Sequence, residues 1–164
     1  MKTYIIIATM LMLSVPTLVG CGKEKVSTKG GASANATQKI ASGENLTIPV
    51  KEISEKASFY SVEVDGTQME VIAVKDSDGN IRTAFNTCQI CYDSGNGYYK
   101  QEGDNLVCQN CGNSFTMNQI GESAGGCNPW PILEEDKTET DSEIKISYEF
   151  LKESSDIFEN WKVN

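Results

Sequence analysis

Residues 88–112 read CQICYDSGNGYYKQEGDNLVCQNCG, and the fold hangs on this stretch. It holds two pairs, Cys88-Gln89-Ile90-Cys91 and Cys108-Gln109-Asn110-Cys111, with sixteen residues between them and Gly112 directly after the second. Two residues between cysteines let the chain curl so that both sulfurs face one metal while nearby backbone N–H groups point at them. The spacing between the pairs falls in the four-thiolate range. A glycine after the second pair tolerates the positive φ that such a knuckle often requires. The spacing therefore points to a metal or iron–sulfur centre held by Cys88, Cys91, Cys108 and Cys111. Two structural disulfides and a thioredoxin-like dithiol stay open beside it, although the latter wants a helix N-terminus and the flanks here read as strands.

Outward from the pairs, the pattern is one of short strands and tight turns. Phe59 to Val64 reads as a strand, and Asp65-Gly66 is a strong tight-turn signal. Met69, Val71 and Ala73 alternate with Glu70, Ile72 and Val74, which suits a strand buried on both faces. Asp76-Ser77-Asp78-Gly79-Asn80 is the next turn, and Ile81 to Phe85 runs from it into the first cysteine pair. Its calcium-loop reading fails, because the glycine comes two places early and Thr87 stands where a bidentate Glu belongs. Gly97 to Lys100, Leu106-Val107 and Ser114 to Met117 read as further short strands. The run from Glu134 to Glu143 is acidic and reads as a solvated connector. Ile144 and Ile146 suggest a closing strand. Phe150, Leu151, Ser154, Ile157, Phe158 and Trp161 share one face at helical spacing, as in a C-terminal helix that caps a core.

A fifth cysteine, Cys127, lies on Gly125-Gly126-Cys127-Asn128-Pro129-Trp130-Pro131. Two glycines allow close backbone approach, and the two prolines stiffen the C-terminal end of this loop. Cys127 is expected close to the four-cysteine site as an additional thiol without an assigned role; the alternative is a small buried apolar residue.

The chain has 164 residues, enough for one ordinary domain. It carries 14 Lys+Arg against 23 Asp+Glu, a net charge of -9, and leaves no basic patch for a nucleic-acid backbone. It has no histidine. That excludes Ser-His-Asp and Cys-His nucleophiles, histidine metal ligands and the usual proximal haem ligand.

The N-terminus reads as a targeting segment. After Lys2, the 16 residues from Tyr4 to Val19 are apolar save Thr9, Ser14, Pro16 and Thr17, short of the roughly 20 that span a membrane. The run stops at Leu18-Val19-Gly20-Cys21, which resembles the bacterial lipobox. That resemblance implies a signal peptide over 1–20, a diacylglyceryl anchor on Cys21, and attachment to the cell membrane on the extracytoplasmic side. Residues 21–46 then read as a polar tether and 47–164 as the folded, metal-binding domain.

The order of elements resembles the Rieske fold: a β-meander, two ligand pairs on loops, then a Gly/Pro loop. The implied fold is mainly β, an antiparallel sandwich or barrel with two CxxC knuckle loops and a C-terminal helix. Rieske sites use two Cys and two His on a 2Fe–2S cluster. Here cysteine stands at each histidine position, which implies a much lower potential. A closer resemblance is to the FtrD-like family of membrane iron–sulfur proteins, associated with bacterial ferrous-iron uptake. It rests on Cys88-Gln89-Ile90-Cys91-Tyr92, Gly97-Tyr98, Gln101-Glu102-Gly103-Asp104, Val107-Cys108-Gln109-Asn110-Cys111-Gly112, Phe115, Ile120-Gly121 and Gly125-Gly126-Cys127-Asn128-Pro129. The resemblance implies an iron–sulfur cluster or mononuclear iron, with zinc as the alternative, and a membrane permease or redox partner. The expected role is an electron carrier or metal-handling module rather than a catalyst. The rivals are a zinc-stabilised interaction module and a thiol–disulfide oxidoreductase.

Overall fold

The computed structural model describes residues 37–122 and 125–163. The largest of its three sheets has five strands, in the order β1 (Gln38–Ile40), β3 (Ser58–Val64), β4 (Thr67–Lys75), β5 (Ile81–Cys88) and β9 (Pro129–Pro131). β1 pairs with β3 in parallel, and every other strand pair among the described residues is antiparallel. β10 (Lys137–Glu139), β11 (Glu143–Ile146) and β2 (Leu46–Pro49) form a second sheet. β6 (Tyr99–Glu102), β7 (Asn105–Cys108) and β8 (Ser114–Thr116) form the third. The fold is thus mainly β, and no closed barrel forms among the described residues.

Alternation along β4 sets the layering. Met69, Val71 and Ala73 enter one core with β2, β3, β11 and the C-terminal segment, while Ile72 and Val74 enter a second core on the opposite face. The second core contains Cys88, Cys91, Cys108, Tyr99 and Leu106, so the small third sheet packs over that face of the large one. The hairpin joining β3 to β4 turns on Asp65 (φ 48) and Gly66 (φ 90), the two positive-φ positions that the Asp-Gly pair supplies.

The structure adds detail to three sequence expectations. β1 lies inside the segment read as tether: Gln38, Lys39 and Ile40 pair with Val62, Glu63 and Val64, and Ile40 is buried. Sheet pairing therefore starts ahead of Thr47, with Ile40 packed into the first core and Lys39 paired with Glu63 at 2.8 Å. The acidic run is ordered rather than a bare connector. β10 pairs with β11 there, and the Lys137 ammonium, buried, lies between Glu134 (3.1 Å) and Glu139 (3.4 Å). The C-terminal stripe forms a short helix, α1 (Tyr148–Glu153), followed by a 3-10 turn at Ser155–Phe158. Ser147 caps α1 by accepting the Phe150 N–H, and the Ser154 hydroxyl donates to the Phe150 carbonyl at 2.8 Å, which closes the helix early. The apolar face still caps the first core: Phe85 lies between Phe150 and Phe158, with ring centroids 5.7 and 5.6 Å away.

The segment 1–36, including the expected signal peptide, Cys21 and most of the expected tether, lies outside the described residues. No helix among the described residues is long and apolar enough to cross a membrane.

Candidate metal centre

β5 ends at Cys88, and the chain curls through Gln89-Ile90-Cys91 into a 3-10 turn at Tyr92–Ser94, closed by Gly95 at φ 82. The Cys88 sulfur accepts the N–H groups of Ile90 and Cys91, the latter at 3.4 Å. The Cys88 N–H donates to the Gly97 carbonyl at 2.6 Å, bringing the loop back toward β6. The second knuckle repeats this pattern after β7. The Cys108 sulfur accepts the N–H groups of Asn110 and Cys111, and Gly112, at φ 74, donates its N–H to the Cys108 carbonyl at 2.9 Å. In both loops the first sulfur receives N–H groups from two and three places on. These dipoles favour a thiolate.

A third loop, 125–128, leads into β9, whose Pro129 pairs with Cys88. Gln89 fastens it: its N–H donates to the Asn128 carbonyl at 3.2 Å, its Nε2 donates to the Pro129 carbonyl at 3.3 Å, and its Oε1 accepts the Gly125 N–H at 2.7 Å. The buried Tyr99 hydroxyl donates to the Cys127 carbonyl. The sulfurs of Cys88, Cys91 and Cys108 consequently lie within 4.8 Å of one another, and so do those of Cys91, Cys111 and Cys127. Cys91 belongs to both groups. All five are free thiols. Their exposure is graded: Cys88, Cys108 and Cys91 are 0%, 1% and 7% exposed, Cys127 is half-buried and Cys111 is exposed.

The electrostatics divide the set. Burial pushes the Cys88 thiol up, but hydrogen bonds from Tyr99 and from the Ile90 and Cys91 N–H groups outweigh it and bring the pKa below the ordinary value. Cys111 is likewise lowered, its burial outweighed by the Asn113 N–H and the neighbouring thiols. Burial raises Cys91, with the adjacent Cys88 and Cys111 sulfurs adding to it. Cys108 and Cys127 are each pushed up to about 12, by burial first and by neighbouring sulfurs second. Tyr99 is raised well above a normal phenol, by burial and then by the Cys88 sulfur. So many thiols this close cannot all ionise alone, and a thiophilic cation among them removes the conflict. The donor set thus fits iron, an iron–sulfur cluster or zinc.

Two supporting residues lie outside the cysteine pairs. Asn86, 1% exposed, accepts the Tyr99 N–H at 2.7 Å on Oδ1, and its Nδ2 donates to the Tyr99 carbonyl at 3.3 Å and to Glu70 at 2.6 Å. It binds β6, and hence the small sheet, to β5. Glu70 also accepts from Ser61 and Lys162, at 3.2 Å each. The only sequence signal was a charged residue within the apolar run of β4. Gly97 is the other: a Cβ there would stand 2.2 Å from the Cys91 carbonyl oxygen.

A family model described as membrane iron-sulfur containing protein FtrD-like matches residues 53–158, well over half of the chain and all five of these cysteines. No curated protein and no solved structure matches the chain.

Proposed function

Because the chain belongs to the FtrD-like family of membrane iron-sulfur containing proteins, we propose that it is a lipid-anchored, extracytoplasmic carrier holding iron or an iron–sulfur centre on Cys88, Cys91, Cys108 and Cys111. The observation that carries this reading is the meeting of two cysteine knuckles with a third thiol-bearing loop over one face of the large sheet. When bound, such a centre supplies one-electron chemistry or a deliverable ion. The chain's own residues supply the thiolates, the N–H groups that stabilise them, and an apolar bed of Ile72, Val74, Leu106 and Ile120 that keeps water from the inner sulfurs. The Rieske-like assignment is part of this proposal, supported by two ligand loops beside a small sheet and a Gly/Pro loop over them. A membrane permease or redox partner would exchange electrons or metal with the centre. Cys21 would supply the anchor: Cys21→Ala should abolish labelling by a fatty-acid probe and leave the protein uncleaved or mislocalised, without loss of bound metal. Equal labelling in mutant and parent would remove the anchor from the reading.

Anaerobic purification of the full chain, with metal analysis and an absorption spectrum, tests the centre. Iron–thiolate absorption in the visible is the expected result. A colourless zinc protein would favour the structural-module reading, since zinc shares this ligand set.

A further inference from the structure

Cys127 is the thiol that the four-ligand reading leaves over, and it is not placed as a buried filler. It is half-buried, its sulfur lies within 4.8 Å of both the Cys91 and Cys111 sulfurs, and its loop is fastened on both sides by Gln89. The five sulfurs therefore form two overlapping groups. The inner one (Cys88, Cys91, Cys108) is fully buried, whereas the outer one (Cys91, Cys111, Cys127) runs from buried to exposed. An ion arriving from solvent meets Cys111 and Cys127 first.

Resting on the metal-binding reading above, we propose that Cys91, Cys111 and Cys127 form an outer three-thiol site that captures a single thiophilic divalent ion before it passes to the four-cysteine centre. In the capture step the three thiols give up their protons and bind the ion. In the transfer step the bond from the ion to Cys127 breaks as bonds to Cys88 and Cys108 form, with Cys91 and Cys111 bound throughout. Cys88 and Cys108 each release a proton and Cys127 regains one, so one proton leaves to solvent and no electron moves. Two retained ligands mean that the ion is never free during the exchange. Cys127 then acts as an entry ligand, with no place in the loaded centre.

The test uses the reduced, anaerobic full chain, with Co(II) alone as probe and thiolate-to-cobalt absorption followed in time. The expected parent signal grows in two phases, as three-thiolate and then four-thiolate coordination. Cys127→Ser, with Cys127→Ala as a second replacement, should reach the parent's final spectrum and stoichiometry but load at least tenfold more slowly. The double variant Cys88→Ser/Cys108→Ser should still bind one ion, and adding Cys127→Ser should abolish that binding. Parent-like loading by both Cys127 variants, or a double variant that binds no cobalt despite a folded circular-dichroism spectrum, overturns the entry site alone. A parent that takes up no cobalt and no iron overturns the metal-binding reading beneath it.

Discussion

At the residue scale, the two knuckles depend on atoms that cannot be exchanged without moving backbone. Gly97 shows this most directly, since a Cβ there would sit 2.2 Å from the Cys91 carbonyl oxygen, 2.5 Å from its carbon and 2.8 Å from the Tyr92 nitrogen. All three are main-chain atoms, so no rotamer change relieves the overlap. Gly97→Ala should cost about 1–3 kcal/mol and lower metal content although every cysteine remains; parent-like melting and metal content would show that the first knuckle yields more than packed backbone should. Cys108 is the complementary case. It is 1% exposed, sits at the end of β7, and its sulfur accepts two backbone N–H groups. Cys108→Ser should lose the four-thiolate centre, keeping only the outer three-thiol coordination, and with it a large part of the stability, because thiolate sites in small peptide systems contribute on the order of 10 kcal/mol. Should the variant melt with the parent and keep the parent's metal absorption spectrum, Cys108 is not a ligand.

At the scale of elements, the β4–β5 connection illustrates a turn whose acidity serves structure. Asp76 is buried, and its Oδ1 accepts the N–H groups of Asp78 (3.0 Å) and Asn80 (2.9 Å), while Oδ2 accepts from Asn80 Nδ2 (3.1 Å) and Arg82 Nε (2.8 Å). Burial pushes this carboxyl up, but the hydrogen bonds from Asn80, Arg82 and Asp78 outweigh it and bring it from 3.8 to about 2. A carboxyl lowered in the fold stabilises it fully above its unfolded pKa, and that contribution fades as pH falls through the folded one. The melting temperature should therefore drop as pH falls from 3.8 toward about 2, and Asp76→Asn should flatten that part of the curve while lowering stability at neutral pH. An unchanged acid limb in the variant would assign the acid sensitivity to other carboxylates. The C-terminal element works by packing instead: α1 is only six residues long, too short to persist alone, and it survives because Leu151 is fully buried and Ser147 caps it.

For the whole molecule, the large sheet separates two cores of different character. The first is built from hydrocarbon and aromatic side chains, whereas the second has cysteines among its buried members. Removing metal should accordingly loosen one side only. Treatment with a chelator should accelerate amide exchange at Tyr99, Leu106 and Val107 in the third sheet before Val62, Val71 or Ile144 respond. Uniform loss of protection across both cores would mean that the two faces unfold as one unit.

What the chain determined by itself is local in sequence. The C-x2-C spacing, the Asp65-Gly66 turn and the two-faced alternation of β4 are each set within a few residues, where backbone sterics and the period of two decide the outcome. The β-rich class and the family resemblance were legible on the same basis. The tertiary structure alone decided what depends on remote pairing. Ile40 docks β1 beside β3, Lys137 turns an acidic run into a strand, and Asn86 joins β6 to β5. It also decided which sulfurs Cys127 faces, those of Cys91 and Cys111, where the chain alone pointed only to closeness to the site. No local rule carries these results, because each contact joins groups whose proximity exists only once the sheets have packed.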